Sequence, residues 1–145
     1  MLNCIRNGVD VMQIDIERGL SGFEDLSFDH VIISQALQAM RATERILTEM
    51  LRVSAEAVVS FPNFAYRANR EAIAAGHMPV SEDLPYEWYE TPNVRFFTLA
   101  DFEALCAKLS IEVRERLAFD DAGQLVTDDP NLNGSLAFYR LGKKP

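Results

Sequence analysis

Short apolar runs alternate with amphipathic stretches along the first half of the chain, which is typical of an α/β protein. Continuous apolar residues predict strands over residues 9–14, 28–34 and 57–61. Apolar residues at helical spacing predict a helix over residues 43–53. Residues 28–61 therefore read as a βαβ unit with two parallel strands and a right-handed crossover. Because these runs do not alternate, we expect their strands to be covered on both faces.

Three further helices are predicted, and the last two lie on either side of a long connection. Residues 2–7 read as the last turn of a helix that Gly8 ends, and a second helix is predicted over residues 65–75. The connection that follows, up to residue 96, contains three prolines. Thr98 and Asp101 then form a capping-box pattern, in which each side chain accepts a hydrogen bond from the other residue's backbone N–H. A helix is therefore predicted to begin there.

The C-terminal part predicts an antiparallel pair of strands. Apolar and charged residues alternate over residues 111–117, as expected for an edge strand with one face exposed to solvent. Residues 120–134 are rich in Asp, Asn and Gly and read as a loop, and residues 135–141 as a final strand. The aspartates of this loop do not have the spacing of a calcium-binding loop.

Composition and charge narrow the class of protein. The chain has 145 residues, 48% of them hydrophobic, which fits one domain. Its net charge of −8 disfavours nucleic acid and anionic membranes as partners. It contains no apolar run of membrane-spanning length. Two distant cysteines and two scattered histidines supply no metal site. These features predict a cytoplasmic protein with free thiols.

Polar side chains follow three of the predicted strands. Asp15 follows the first, Ser34 and Gln35 follow the second, and Asn63 follows the third. Because ligands lie beyond the carboxyl ends of parallel strands, we expect these residues to share a binding rim. The rim has no apparent nucleophile or base, and none of the seven glycines forms a phosphate-binding motif. Asp15 alone could equally be a loop acid or a helix cap.

Three segments carry a family resemblance: FDHVIISQALQAM, EMLRVSAEAVVSFPNFAYRANR and GHMPVSEDLPYEWYETPNVRFFTLADFEALC. They resemble the methionine biosynthesis protein MetW family, whose members are similar to class I methyltransferases that bind S-adenosylmethionine (SAM). The resemblance runs from Val9 to about Arg116. It implies a Rossmann-like sheet, with Asp15 and Ile16 near the adenine of SAM and Ser34 and Gln35 lining the cofactor and acceptor side.

The resemblance also implies that part of the family pattern is absent. The family's first two strands and its glycine-rich loop match no residue here, so residues 1–145 are expected to form a partial domain that does not bind SAM usefully. The edge of strand 28–34 would then be bare and prone to pairing. Residues 9–14 could slide over to pair with it, another chain could supply the missing half through self-association, or the sequence could be a piece of a longer protein.

Two functions follow from the resemblance. The first is support of a homoserine O-acyltransferase by binding it, and the second is methyl transfer to a small molecule. Tyr, Trp and Arg concentrate binding energy at interfaces, so a partner or substrate surface is expected. Its predicted residues are Asn63, Tyr66, Arg67, Arg70, Tyr86, Trp88 and Tyr89. The three aromatic residues of the connection could instead cover the top of the sheet.

Overall fold

The computed structural model describes residues 6–144, and four of its segments form one mixed sheet. The strand order is β1-β2-β4-β3. β1 and β2 are parallel, whereas β4 pairs antiparallel with both β2 and β3. The strands are β1 (Phe28–Ser34), β2 (Ser54–Pro62), β3 (Ile111–Phe119) and β4 (Leu136–Lys143). The predicted parallel pair and the predicted antiparallel pair are both confirmed.

Residues 6–144 also include four named helices and two 3-10 turns. Helix α1 covers the range predicted for it, and α2 is shorter at both ends than predicted. The short helix α4 lies within what was predicted to be a loop. The helices are α1 (Thr43–Val53), α2 (Arg67–Ala74), α3 (Leu99–Lys108) and α4 (Pro130–Asn133), and the turns are Ile16–Arg18 and Leu37–Ala39.

The capping box at the start of α3 is confirmed. The Thr98 hydroxyl accepts from the backbone N–H of Asp101 at 3.1 Å, and the Asp101 carboxylate accepts from the backbone N–H of Thr98 at 3.1 Å. Two donors that the first turn of a helix leaves unpaired are thereby satisfied. This fixes where α3 begins, immediately after the long connection.

The hydrophobic core lies between the sheet and helices α1 and α3. Phe61 at the centre of the core stacks on Tyr139 with ring centroids 5.6 Å apart, and it also contacts Phe102 of α3 at 4.8 Å. All three side chains are at most 1% exposed. Such aromatic contacts contribute about 0.5–1.5 kcal/mol per pair beyond the burial of their area. The core thus joins β2, β4 and α3 at one point.

The prediction that β1 is covered on both faces was wrong. Val31 and Ile33 pack against the core, but Ile32, on the opposite face of the same strand, is 68% exposed. Successive side chains of a strand point to opposite faces. One face of β1 is therefore buried, whereas residues 6–144 leave the other face largely uncovered at Ile32.

The predicted strand over residues 9–14 was also wrong. These residues belong to no strand, and Met12 and Val9 are 64% and 56% exposed. They do not pair with β1, so the expected shift onto that edge does not occur. An apolar run becomes a strand only where a neighbour accepts its backbone hydrogen bonds. The helix end predicted over residues 2–7 lies mostly outside the described residues, as does Cys4.

Candidate functional site

The carboxyl ends of β1 and β2 form a small polar rim. Ser34 and Ser60 are paired in register, and their hydroxyl oxygens are 3.1 Å apart. The backbone N–H of Gln35 donates to the carbonyl oxygen of Ser60 at 2.9 Å. Gln35 has a φ of 46°, a left-handed conformation that is uncommon outside glycine and that turns the chain sharply away from the strand. Both Ser34 and Gln35 are exposed at this rim, as a ligand-binding role would require.

Sequence reasoning missed Gln38, which organises the same rim. Its side-chain amide donates to the carbonyl oxygen of Gln35 at 2.9 Å, and its own backbone carbonyl accepts from both Val94 and Arg95 at 3.0 Å. Gln38 is only 8% exposed, and its side-chain oxygen has no partner among the described residues. The signal in the sequence was a lone amide within the apolar run Ala36–Met40. Gln38 ties the end of β1 to the segment that precedes α3.

Asp15 and Ile16 lie at a 3-10 turn that packs on α1. Asp15 caps this turn by accepting from the backbone N–H of Glu17 at 3.2 Å, and it forms an exposed ion pair with Arg18 at 3.2 Å. Ile16 lines an apolar cavity of about 210 Å³ beside β1 and α1. Within the described residues, the contacts of Asp15 are those of a helix cap.

Carboxylates hold the segment after Asp15 against α1. Glu17 accepts from the backbone N–H groups of Arg41 and Ala42 at 2.6 and 2.8 Å, and these bonds lower its pKa. Glu49 accepts from Arg52 at 2.8 Å and from the backbone N–H of Leu20 at 2.9 Å. These two bonds, with that to Arg52 the stronger, lower the pKa of Glu49 to about 2.

The residues predicted to hold SAM fit it incompletely. The cavity that Ile16 lines does not include Asp15, Ser34 or Gln35. The described glycines with a positive φ are Gly8, Gly19, Gly76 and Gly123, and none of them follows a strand and opens a helix as a phosphate- or methionine-binding turn would. The rim of β1 and β2 could line one side of a cofactor. The described residues do not provide the remaining sides.

The placement of Asn63 on a partner surface was wrong, because this side chain is completely buried. Its amide nitrogen donates to the carbonyl oxygens of Asn131 and Gly134 at 3.0 and 2.7 Å. Its side-chain oxygen accepts from the backbone N–H of Ala65 at 3.0 Å. A polar residue just after a strand can serve the fold as readily as a ligand, and here it closes the end of β2 onto the loop that leads to β4.

Tyr66, Arg67 and Arg70 lie near the start of α2. Arg67 and Arg70 are exposed, and Arg67 donates to the side-chain oxygen of Asn133 at 2.7 Å. Tyr66 is half-buried, and this partial burial, together with the nearby Asp121 carboxylate, raises the pKa of its hydroxyl. These three residues remain accessible to a partner.

The connection between α2 and α3, residues 77–96, is called the aromatic loop below. Tyr86, Trp88 and Tyr89 in it are 50%, 69% and 65% exposed, so they do not cover the sheet. Trp88 and Tyr89 pack edge to face with ring centroids 5.5 Å apart. Phe96, the last residue of the loop, packs against Phe64 with ring centroids 4.8 Å apart. Three large aromatic rings on one loop form an exposed apolar patch of the kind found at interaction sites.

Residues 6–144 contain no group of three or more potential metal-binding side chains. None of the helices in this range has the length and apolar composition that a membrane span requires. The buried thiol of Cys106 has its pKa raised to about 12, chiefly by burial, which keeps it protonated and unreactive.

The fold and the strand order define the class of protein. The chain is similar to a SAM-dependent methyltransferase from Thermotoga maritima (TM-score 0.65, 20% identity, covering 97% of this chain and 66% of that one). It is also similar to the cyclase SpnF (TM-score 0.64, 13% identity, covering 99% of this chain and 60% of that one). The α/β fold is therefore that of the class I methyltransferases, as predicted. At these identities the likeness shows the fold alone.

Sequence comparison identifies the family within this class. The sequence profile of the family described as methionine biosynthesis protein MetW matches residues 1–141, and the chain belongs to this family. It is 39% identical over 148 residues to the bifunctional methionine biosynthesis protein MetXA/MetW of Rhodopirellula baltica. The match covers 97% of this chain and 24% of that protein, so the chain spans about a quarter of the curated relative's length. The resemblance read from the sequence is thereby confirmed.

Proposed function

We propose that this chain supports a homoserine O-acyltransferase of methionine biosynthesis by binding it, and that it does not catalyse a reaction on its own. One observation carries the proposal: the relative from Rhodopirellula baltica bears the names MetXA and MetW on a single polypeptide. A covalent link keeps two domains at a high effective concentration. A fusion of this kind is favoured when the separate proteins act side by side, and the MetXA part would be the acyltransferase.

The aromatic loop is the proposed docking surface. Trp88 and Tyr89 expose most of their area while their positions are fixed by an edge-to-face contact. Rigid aromatic side chains lose little conformational freedom on binding, which is why Tyr and Trp are enriched among interface hot spots. Arg67, exposed at the start of α2, supplies a directional polar contact. Asn63 no longer belongs to this surface, because its side chain is buried.

A co-purification experiment tests the proposal. The chain is captured on an affinity resin, and the acyltransferase from the same source is applied to the parent chain and to Trp88→Ala, Arg67→Ala and Leu125→Ala. Leu125 is 55% exposed in another loop and serves as the matched apolar control. We expect Trp88→Ala to reduce retention strongly, Arg67→Ala to reduce it partly and Leu125→Ala to leave it unchanged. Unchanged binding in both Trp88→Ala and Arg67→Ala would count against this surface.

A second candidate function is methyl transfer to a small molecule, which the likeness to a SAM-dependent methyltransferase supports. Such catalysis consists largely of holding donor and acceptor in line, so the lack of a general base at the rim is no objection. The incomplete fit of the rim to SAM is the objection. Calorimetric titration of the chain with SAM separates the two functions. We expect no micromolar binding, and such binding would favour the methyltransferase.

A further inference from the structure

A cavity of about 540 Å³ opens between the beginnings of α1 and α3, beside the last residues of the aromatic loop. Phe97, Phe102 and Leu105 supply its apolar lining. The ring of Phe102 is 1% exposed and belongs to the core, so this part of the wall is rigid. Ligand cavities in proteins typically measure about 300–1,000 Å³ and combine an apolar lining with a few polar groups. The size and the lining of this cavity suit a small organic molecule.

Three arginine residues line the same cavity, namely Arg41, Arg45 and Arg95. Together they are 3 of the 14 basic residues of a chain whose net charge is −8. The ion pairs found within residues 6–144 include none of the three. The carboxylates of Glu17 and Glu49 lie near enough to attract these groups but form no direct ion pair with them, so guanidinium donors remain available to an anion.

Two of these arginines are held in place by backbone carbonyl groups. Arg95 donates to the carbonyl oxygens of Val94 and Arg41 at 3.1 and 3.2 Å. Arg45 donates to the carbonyl oxygen of Arg18. Each guanidinium has five N–H donors, so these bonds orient the group and leave donors available for a ligand. Anchored guanidinium groups lose less freedom on binding an anion than free ones.

The acidic side chains near the cavity are already engaged. Glu44 pairs with Lys108 at 2.7 Å, and Asp101 is taken up by the capping box of α3. Glu17 places its carboxylate on the two backbone amides at the start of α1. The Arg41 and Arg95 charges further lower the pKa of Glu17, so both guanidinium groups lie close enough to act on a carboxylate there. This corner of the cavity thus already favours one carboxylate group.

We propose that this cavity binds a small amphipathic carboxylate. The carboxylate of the ligand pairs with Arg95 and Arg41, and its apolar body lies against Phe97 and Leu105. Guanidinium groups match carboxylates because two parallel N–H···O bonds form at once. The inference does not depend on the proposed acyltransferase partner, because the site is built from residues 41–45, residues 95–97 and α3 of this chain.

The test compares an acid with its neutral amide. The 15N-labelled chain is titrated with 4-phenylbutyrate and, separately, with 4-phenylbutyramide, and amide and arginine side-chain signals are followed by NMR. We expect saturable shifts for the acid at Arg95 and Phe97, with a Kd on the order of millimolar for a probe of this size. The amide has the same body without the charge, and we expect it to bind at least about tenfold more weakly. Equal binding of acid and amide, or no saturable binding, would overturn the proposal.

Matched variants locate the binding. Arg95→Gln and Arg41→Gln are each expected to weaken binding of the acid about tenfold, since each removes one charge-assisted contact. Lys143→Gln removes the same charge from an exposed residue of β4 and is expected to bind like the parent chain. If both arginine variants bind the acid as the parent does, the site is wrongly placed and the proposal falls. The comparison of acid and amide on the parent chain stands even if a variant fails to fold.

Discussion

Asn63 and Gly134 are joined by a hydrogen bond of 2.7 Å from the side-chain amide of Asn63 to the carbonyl oxygen of Gly134. The bond links the end of β2 to the short segment that leads into the final strand. The backbone N–H of Asn63 also donates to the carbonyl oxygen of Ser135, at 2.7 Å. The two segments are 71 positions apart in the sequence, so this one asparagine fixes where β4 enters the sheet.

Replacing Asn63 by Ala should therefore destabilise the fold without touching any exposed surface. The change removes the partner of the buried Gly134 carbonyl, the partly buried Asn131 carbonyl and the buried Ala65 N–H, and each loss at a buried group costs about 1–3 kcal/mol. We expect the free energy of unfolding in urea to fall by about 2–4 kcal/mol. Gln124→Ala, which removes an exposed amide, should change it by less than about 0.5 kcal/mol. Equal stability of the Asn63→Ala and Gln124→Ala variants would contradict this role.

The ion pair of Glu49 with Arg52 makes stability depend on pH in a defined direction. The pKa of Glu49 falls from 4.5 to about 2 because Arg52 and the Leu20 amide stabilise the charged carboxylate. A depressed folded-state pKa contributes stability that is complete above the unfolded value and is lost as the pH falls through the folded value. The stability difference between the parent chain and Glu49→Gln should therefore be largest above about pH 5 and should be mostly lost by about pH 2.

Urea unfolding of both chains at several pH values measures this difference. Glu82→Gln is the matched control, since Glu82 is exposed and has no ion pair within the described residues. If the difference in the free energy of unfolding between the parent chain and Glu49→Gln stays constant from pH 6 to pH 2, the carboxylate is not stabilised in the folded chain.

The open edge of β1 should promote association of the chain. β1 pairs with β2 on one side and with no other strand in residues 6–144, and Ile32 and Phe28 are 68% and 40% exposed. Exposed apolar edge strands tend to pair with other chains, and lysine at such edges opposes this. Sedimentation velocity should show a mass that rises with concentration. Ile32→Lys should reduce the rise.

Leu125→Lys introduces the same charge at an exposed loop residue and should leave the association unchanged. If the parent chain stays monomeric at all concentrations, or if both lysine variants associate equally little, the edge of β1 is not responsible.

The sequence was most informative where a pattern has one physical cause. The periodicity of α1 and the capping box of α3 are local, so each was predicted within a residue or two. The position of β3 at the edge of the sheet was predicted from its alternating apolar and charged residues. The prediction of a strand over residues 9–14 failed because apolar composition is a local property, whereas strand formation depends on a neighbour elsewhere in the chain.

Side-chain roles at strand ends were harder to predict. Ser34 ends β1 and Asn63 follows β2, yet Asn63 is buried and Ser34 is exposed. The difference arises because β4 approaches the end of β2 and not that of β1. Gln38 was missed for the same reason: the backbone amides that it holds lie about 55 residues further along the chain. Residue type indicates that a polar group is needed, and topology decides what it contacts.

Hydrogen exchange of the chain with and without the homoserine O-acyltransferase tests the central proposal most directly. Within residues 84–92 of the aromatic loop, only the N–H groups of Leu84, Glu90 and Thr91 donate to backbone carbonyls, so we expect fast exchange at the other residues in the free chain and slower exchange when a partner covers them. We expect the acyltransferase to slow exchange over residues 84–92 and to leave β3 and its following loop unchanged. Protection confined to residues 111–129, or none at all, would contradict docking through the aromatic loop.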